Sequence, residues 1–211
     1  LLEAGQWLLF SLVTLAMVLL ASEITTIRLR LRERNGQLAE LLERIQDLAV
    51  KDELTGLYSR RHAMELLAKA CGQARRGAFL LAVGFVDLDH FKRINDRHGH
   101  LFGDQVLVRF AELTRRYLGD KDMAARLGGE EFLIMLPVMD MEQALTSVER
   151  LMSALRAQRF MAAPALEVTA SVGLTVVGHG ESPDEVLVRA DRLLYQAKAA
   201  GRDRIITAGA P

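Results

Sequence analysis

The stretch Ala125-Arg126-Leu127-Gly128-Gly129-Glu130-Glu131-Phe132-Leu133-Ile134-Met135-Leu136 leaves this chain few ways to fold. Two short apolar runs, Met123 to Leu127 and Phe132 to Leu136, are separated by two glycines and two adjacent acids. Such a pattern predicts a tight β-hairpin, because Gly128-Gly129 tolerates the positive φ that hairpin turns demand. Glycines at the turn also let a ligand approach the backbone closely. Glu130 and Glu131 follow the turn, so the pattern predicts one carboxylate on each face of the second strand. Taken alone, the stretch also reads as an acidic, solvated hairpin tip.

A second acidic stretch narrows the choice. Leu80 to Val86 is a nearly continuous apolar run, predicted to be a buried strand, and it ends in Asp87-Leu88-Asp89-His90-Phe91-Lys92-Arg93-Ile94-Asn95-Asp96. Acids at a strand end sit where open α/β sheets hold their ligands. If this strand lies beside the hairpin, Asp87, Glu130 and Glu131 meet at one point. Crowded carboxylates repel one another unless cations lie between them, and an oxygen-only cluster suits Mg²⁺ shared with substrate phosphates. The residues themselves thus point to a Mg²⁺–nucleotide site.

The 211 residues suffice for one ordinary domain plus an appendage. Lys and Arg number 27 against 27 Asp and Glu, so no global field favours nucleic acid as a partner. The single cysteine, Cys71, excludes an internal disulfide and reads as an inert, partly buried thiol on a helix. Helices are predicted from about Arg61 to Arg75, up to Leu118 after His98-Gly99-His100, from Met141 to Arg156 and from Pro183 to Ala200. Extended runs are predicted over 79–86, 166–177 and 204–207. Strands interleaved with helices, one hairpin among them, predict an α/β domain with a mixed sheet.

The first 50 residues have another character. Ala4 to Ser22 contains no charge, lies between Glu3 and Glu23, and at helical rise crosses roughly 29 Å, about a bilayer's hydrocarbon core. Arg28, Arg30, Arg32 and Arg34 follow, which by the positive-inside rule puts the C-terminal side in the cytoplasm. Ile24, Leu31, Leu38 and Ile45 then mark one heptad position, with Ile27, Leu41 and Leu48 at the other and Arg34 interrupting it. This predicts a parallel coiled coil continuing the membrane helix. Residues 1–23 are thus expected to be a transmembrane helix, 24–50 a coiled-coil signalling helix and 51–211 the globular domain. Without an initiating Met, the chain reads as a piece of a longer protein.

Four separated motifs carry a resemblance. They are Asp52-Glu53-Leu54-Thr55-Gly56-Leu57-Tyr58-Ser59-Arg60-Arg61, the stretch from Asp87 to Asp104, Arg126 to Phe132, and Ala190-Asp191-Arg192-Leu193-Leu194-Tyr195-Gln196-Ala197-Lys198-Ala199-Ala200-Gly201-Arg202. In this order and spacing the chain resembles the GGDEF family of diguanylate cyclases, in a Gly-Gly-Glu-Glu-Phe variant, from Asp52 to about Ile206. The resemblance implies a nucleotidyl-cyclase-like α/β fold, with a central mixed sheet flanked by helices. It implies condensation of two GTP into cyclic di-GMP and two pyrophosphates, by attack of each ribose 3′-hydroxyl on the other α-phosphate across a homodimer. Two Mg²⁺ or Mn²⁺ ions per active site are implied, held by Asp87, Glu131, the Leu88 carbonyl and Glu130, with Asp87, Glu130 and Glu131 catalytic.

By the same resemblance Asn95 and Asp104 read guanine, Gly128 and Gly129 lie against the nucleotide, and Lys92, Lys198 and Arg202 contact phosphates. Without it, Asp104 reads as a helix cap. Lys198 and Arg202, four residues apart, are expected on one helix face. Asp52 and Arg61 match a pair that braces the domain entrance, and a plain helix-boundary role fits them equally well. The chain departs from the family at its inhibitory product site, usually Arg-x-x-Asp: Asp122 is present, but Gly119 replaces the arginine, so that site is expected to be non-functional. Asp203 stands where Asn is commoner and is expected to lie clear of the chemistry. The expected setting is the inner membrane of a bacterium, with the catalytic domain in the cytoplasm. A non-catalytic module that binds GTP or cyclic di-GMP is the alternative.

Overall fold

The computed structural model describes Met17, Leu20 and residues 23–25, 27–34, 50–74 and 79–209. The chain forms two compact units, Leu1–Leu48 and Ala49–Pro211. In the first, residues 23–25 and 27–34 are helical, with Ile24, Ile27 and Leu31 exposed. The predicted span over 4–22 lies outside the described residues apart from Met17 and Leu20, as do Leu38, Leu41, Ile45 and Leu48. Among the described residues, no helix is long and apolar enough to cross a membrane.

The second unit runs β1 (Tyr58–Ser59), α1 (Arg60–Ala74), β2 (Leu80–Leu88), α2 (Phe91–His98), α3 (His100–Tyr117), β3 (Met123–Gly128), β4 (Glu131–Val138), α4 (Met141–Ala157), β5 (Ala170–Val176), α5 (Pro183–Ala199) and β6 (Ile205–Ala208). The strands form one sheet in the order β1-β3-β4-β2-β5-β6. The inner pairings are antiparallel, whereas the edge strands β1 and β6 pair parallel with β3 and β5. The expected mixed sheet is present. The strand β5 begins four residues later than the predicted run over 166–177, and the two-residue β1 was not anticipated.

Strand alternation builds a layer on each side of the sheet. Ala82, Val86 and Leu88 of β2, Phe132, Ile134 and Leu136 of β4, and Val172 and Leu174 of β5 pack with Phe91, Phe102, Val106, Phe110, Val148 and Leu151 from α2, α3 and α4. Leu81 and Val83 of β2 and Leu133 and Met135 of β4 face the other way, onto Ala63 and Leu67 of α1 and Val186 of α5. With helices covering both faces, β2 and β4 are apolar along almost their whole length, which explains their unbroken hydrophobic runs. The helix α5 starts in a capping box: the Ser182 hydroxyl accepts from the Glu185 N–H, and the Glu185 carboxylate accepts from the Ser182 N–H. It then lies directly on β5. A Cβ at Gly173 would meet the Ala190 carbonyl oxygen at 2.1 Å and the Leu194 nitrogen at 2.3 Å, both backbone atoms.

The entrance to this unit is tied to the hairpin. Asp52 accepts from the Thr55 N–H at 2.8 Å and the Thr55 hydroxyl at 2.6 Å, and the Arg126 guanidinium reaches both its oxygens at 3.3 Å. The same guanidinium donates to the Gly129 carbonyl through Nε at 3.0 Å and Nη2 at 2.9 Å. The expected Asp52–Arg61 brace is thus replaced by Asp52–Arg126, while Arg61 reaches Glu65. The parallel pairing of β1 with β3 sets Arg126 opposite Ser59, and so delivers a hairpin arginine to the entrance. Burial alone would raise the Asp52 pKa, but the Thr55 hydroxyl and N–H, together with Arg126, outweigh it and hold the group below the ordinary carboxylate value.

Gly173→Ala is expected to lower stability by about 3 kcal/mol, read by urea unfolding, because α5 must lift off the sheet. Asp52→Asn is expected to cost about 1 kcal/mol at pH 7. The folded pKa of Asp52 is depressed, so the folded state binds fewer protons than the unfolded one. Its contribution is therefore complete above the ordinary carboxylate pKa and disappears as pH falls through the folded value, and the two stability–pH curves should converge in acid.

Candidate active site at the end of the central strands

The register of β2 against β4 sets Asp87 opposite Glu131. Both residues share the parity of Leu81, Val83, Leu133 and Met135, so both face α5. The hairpin differs from its predicted form by one residue. Arg126 pairs with Phe132 and Gly128 with Glu131, so Leu127 is the extra residue of a β-bulge. The bulge slides the turn forward: its two central residues are Gly129 and Glu130 rather than the two glycines. Gly129 has φ 52° and Gly128 φ 147°, both in the region that favours glycine. Glu130 therefore sits in the turn and not on a strand face, while Glu131 alone joins the ladder. The Leu88 N–H donates to the Glu130 carbonyl at 3.3 Å, which fastens the turn to the end of β2. No atom outside the immediate neighbours lies within 4 Å of where a Cβ would stand on Gly128 or Gly129, so the face of the turn is open.

Asp87 is 7% exposed, and the Lys198 ammonium of α5 lies 2.7 Å from its Oδ2. Burial raises the Asp87 pKa; Lys198 opposes this through its hydrogen bond and charge, the Asp89 charge adds to it, and Arg202 opposes it, with a net upward shift. Burial also raises Glu130, and the charges of Asp87 and Glu131 push the same way. Carboxylates that crowd and draw in an ammonium are suited to a hard cation. Among the described residues, no group of three or more His, Cys, Asp or Glu is already arranged around one metal position. The available donors, the Asp87, Glu130 and Glu131 carboxylates and the Leu88 carbonyl, are all oxygen and fit Mg²⁺ or Mn²⁺ when substrate oxygens complete the shell.

Lys198 and Arg202 both act on Asp87, but not from one helix face as expected. The helix α5 ends at Ala199, Gly201 takes φ 112°, and the Arg202 N–H returns to the Ala197 carbonyl at 3.0 Å while the Gly201 N–H returns to Lys198 at 3.4 Å. This is a Schellman-type closure. It carries Arg202 around the helix end, and Arg202 and Asp203 follow with positive φ of 65° and 46°.

Asp89 is a site residue that the motif reading passed over. It is 4% exposed and accepts from the Thr169 hydroxyl at 2.8 Å, the Ser171 hydroxyl at 2.7 Å and the Asp203 N–H at 3.0 Å. It thereby joins the end of β2 to β5 and to the turn that bears Arg202. Asp203, expected to lie clear of the chemistry, supplies that N–H to Asp89, and its carboxylate holds Arg156 at 2.7 Å. The i, i+2 spacing of Asp87 and Asp89 was the available signal; the partners of Asp89 come from distant sequence.

Asn95 stands in α2 and is adjacent to Gly103 of α3, immediately before Asp104. Asp104 does not cap α3: the N-cap is Gly99, and no side-chain cap bond forms there. Lys92 is exposed in the first turn of α2. At the inhibitory position, the Gly119 N–H donates to Asp122 Oδ2 at 2.7 Å, which turns that carboxylate back onto its own loop. Burial raises Asp122, and that hydrogen bond opposes the rise. Two nearby cations are also engaged: Arg115 donates to the Thr55 carbonyl at 2.8 Å, and Lys51 lies 3.5 Å over the Tyr58 ring.

Residues 49–204 match the family described as "Diguanylate cyclase, GGDEF domain". The chain is 38% identical over 192 residues to the diguanylate cyclase DgcP of Pseudomonas aeruginosa, covering 82% of this chain and 29% of that protein. It is 37% identical over 169 residues to the response regulator PleD of Caulobacter vibrioides, covering 78% of this chain and 37% of that one. The chain thus spans about a third of the length of these curated relatives. The crystal structure of the coiled coil and GGDEF domain of DgcB from Caulobacter crescentus, in complex with c-di-GMP, superposes with a TM-score of 0.72 at 31% identity, covering 86% of this chain and 99% of that one. The chain belongs to the GGDEF family of diguanylate cyclase domains.

Proposed function

We propose that this domain joins two molecules of GTP into cyclic di-GMP with release of two pyrophosphates. One observation carries the reading: buried Asp87, set opposite Glu131 and joined by Glu130 and Lys198, at the mouth of an open glycine turn. Asp87, Glu131, Glu130 and the Leu88 carbonyl would hold the divalent ions, two per site. When bound, Mg²⁺ or Mn²⁺ would acidify the ribose 3′-hydroxyl and stabilise charge on the leaving phosphate. The 3′ oxygen forms its bond to the α-phosphorus of the facing nucleotide as the bond to pyrophosphate breaks. Glu130, which stands in the turn outside the strand ladder, takes the hydroxyl proton. Lys198 and Arg202 grip the triphosphate, with Lys92 as a further phosphate contact. Gly128 and Gly129 give the nucleotide room. Asp104 accepts from guanine N1–H and the 2-amino group, a donor pair that adenine lacks, and Asn95 donates to an acceptor on the base.

One domain holds one GTP, so two domains must face each other. The heptad pattern from Ile24 to Leu48 supports a homodimer that raises their effective concentration, and the solved neighbour DgcB also carries a coiled coil. The uncharged stretch from Ala4 to Ser22 supports an anchor in the inner membrane of a bacterium, with this domain in the cytoplasm.

The deciding experiment incubates the detergent-solubilised chain with GTP and Mg²⁺ and resolves the nucleotides by chromatography. Cyclic di-GMP is expected from the wild type, and roughly 100-fold less or none from Glu131→Ala. GTP bound but unconverted by the wild type would instead favour a non-catalytic binding module. Because Asp122 is tied to Gly119 and no arginine stands at position 119, initial rates should be unchanged by added cyclic di-GMP. A saturating fall in rate would refute that second expectation.

A further inference from the structure

Asn95 Oδ1 is the one buried side-chain polar atom among the described residues that lacks a hydrogen-bond partner. It points at Gly103, where a Cβ would stand 1.9 Å from Oδ1, 3.0 Å from Asn95 Cγ and 3.1 Å from Phe91 Cζ. The backbone of Gly103 gives no reason for glycine. It lies within α3, its N–H bonds the Gly99 carbonyl at 3.2 Å, and it is absent from the positive-φ positions. Glycine is a poor helix former there, and alanine would suit the helix better. What glycine supplies is space. The carboxamide of Asn95 fills that space with its oxygen against the Gly103 Cα, where a C–H can face it. The reverse orientation would bury a stronger N–H donor with no acceptor.

Resting on the guanine reading proposed above, we infer that Gly103 is a positioning residue for base recognition. Its missing side chain seats the Asn95 carboxamide with Oδ1 inward, which leaves Nδ2 as the donor offered to a purine oxygen or nitrogen. Any side chain at position 103 would drive the amide outward into the space the base must occupy.

The test is a double-mutant cycle in the full chain: wild type, Gly103→Ala, Asn95→Ala and both together. Calorimetric titration with 3′-deoxy-GTP and 3′-deoxy-ATP reads binding without turnover, because neither ligand has the attacking hydroxyl. Gly103→Ala should weaken 3′-deoxy-GTP by roughly ten-fold, the loss of about one good hydrogen bond. Affinity for 3′-deoxy-ATP should stay within about two-fold, since the triphosphate grip is untouched, and the unfolding temperature should not fall. In the Asn95→Ala background, the Gly103 substitution should change guanine-nucleotide affinity by less than about two-fold, because no amide remains to displace.

Wild-type binding by Gly103→Ala, an equal loss in both backgrounds, or a sharply lower unfolding temperature would each overturn the inference while leaving the guanine reading intact. The last two would assign the effect to Phe91 and the packing of α3. A wild type with no preference for 3′-deoxy-GTP would fell the guanine reading, and this inference with it.

Discussion

The pairing of β2 with β4 is the constraint on which the rest depends. Side chains alternate along a strand, so a slip of one residue would turn Asp87 away from Glu131 and invert both layers of the core. The apolar pattern alone holds this register weakly, because both strands are hydrophobic on both faces. A notch fixes it. Gly84 lies opposite Ile134, and a Cβ on Gly84 would stand 2.7 Å from Ile134 Cγ1. The isoleucine fits only where the partner strand has no side chain, and that fit lies three residues before Asp87.

Two acids at the end of β2 are buried on opposite principles. Asp89 is surrounded by donors from β5 and from the turn after α5, so its charge is spent on structure. Asp87 has a single strong partner, the ammonium of a long side chain that is itself a third exposed. A buried carboxylate with so few fixed donors is costly, and its upward-shifted pKa expresses that cost. The satisfied acid holds the scaffold, and the under-satisfied one is left with capacity for something else. Stability is given up at Asp87, in the candidate site, and Asp89 compensates two residues away.

Much of this was legible in the chain. Long apolar runs and helical periodicity located the central strands and four of the five helices of the second unit, and the adjacent acids of the hairpin marked the candidate site. The position of the turn was not legible, because a bulge at Leu127 leaves no mark on the hydrophobic pattern. Nor was β1, whose two residues owe their strand state to a parallel neighbour more than sixty positions away. Helical spacing misled for Lys198 and Arg202, since Gly201 ends the helix between them. Asp89 and Arg126 take their roles from partners distant in sequence, which no local pattern records.

Arg126 ties the entrance of the domain to its hairpin turn. Its guanidinium is shared between a carboxylate at the entrance and a carbonyl in the turn, so the two places are not thermodynamically separate. Whatever shifts Asp52 changes the free energy of the turn geometry, and linkage makes the effect reciprocal. A ligand that alters the turn through Arg126 is therefore felt at Asp52 as well. The guanidinium is thus a two-way coupling between how the chain enters this domain and how firmly its glycine turn is held.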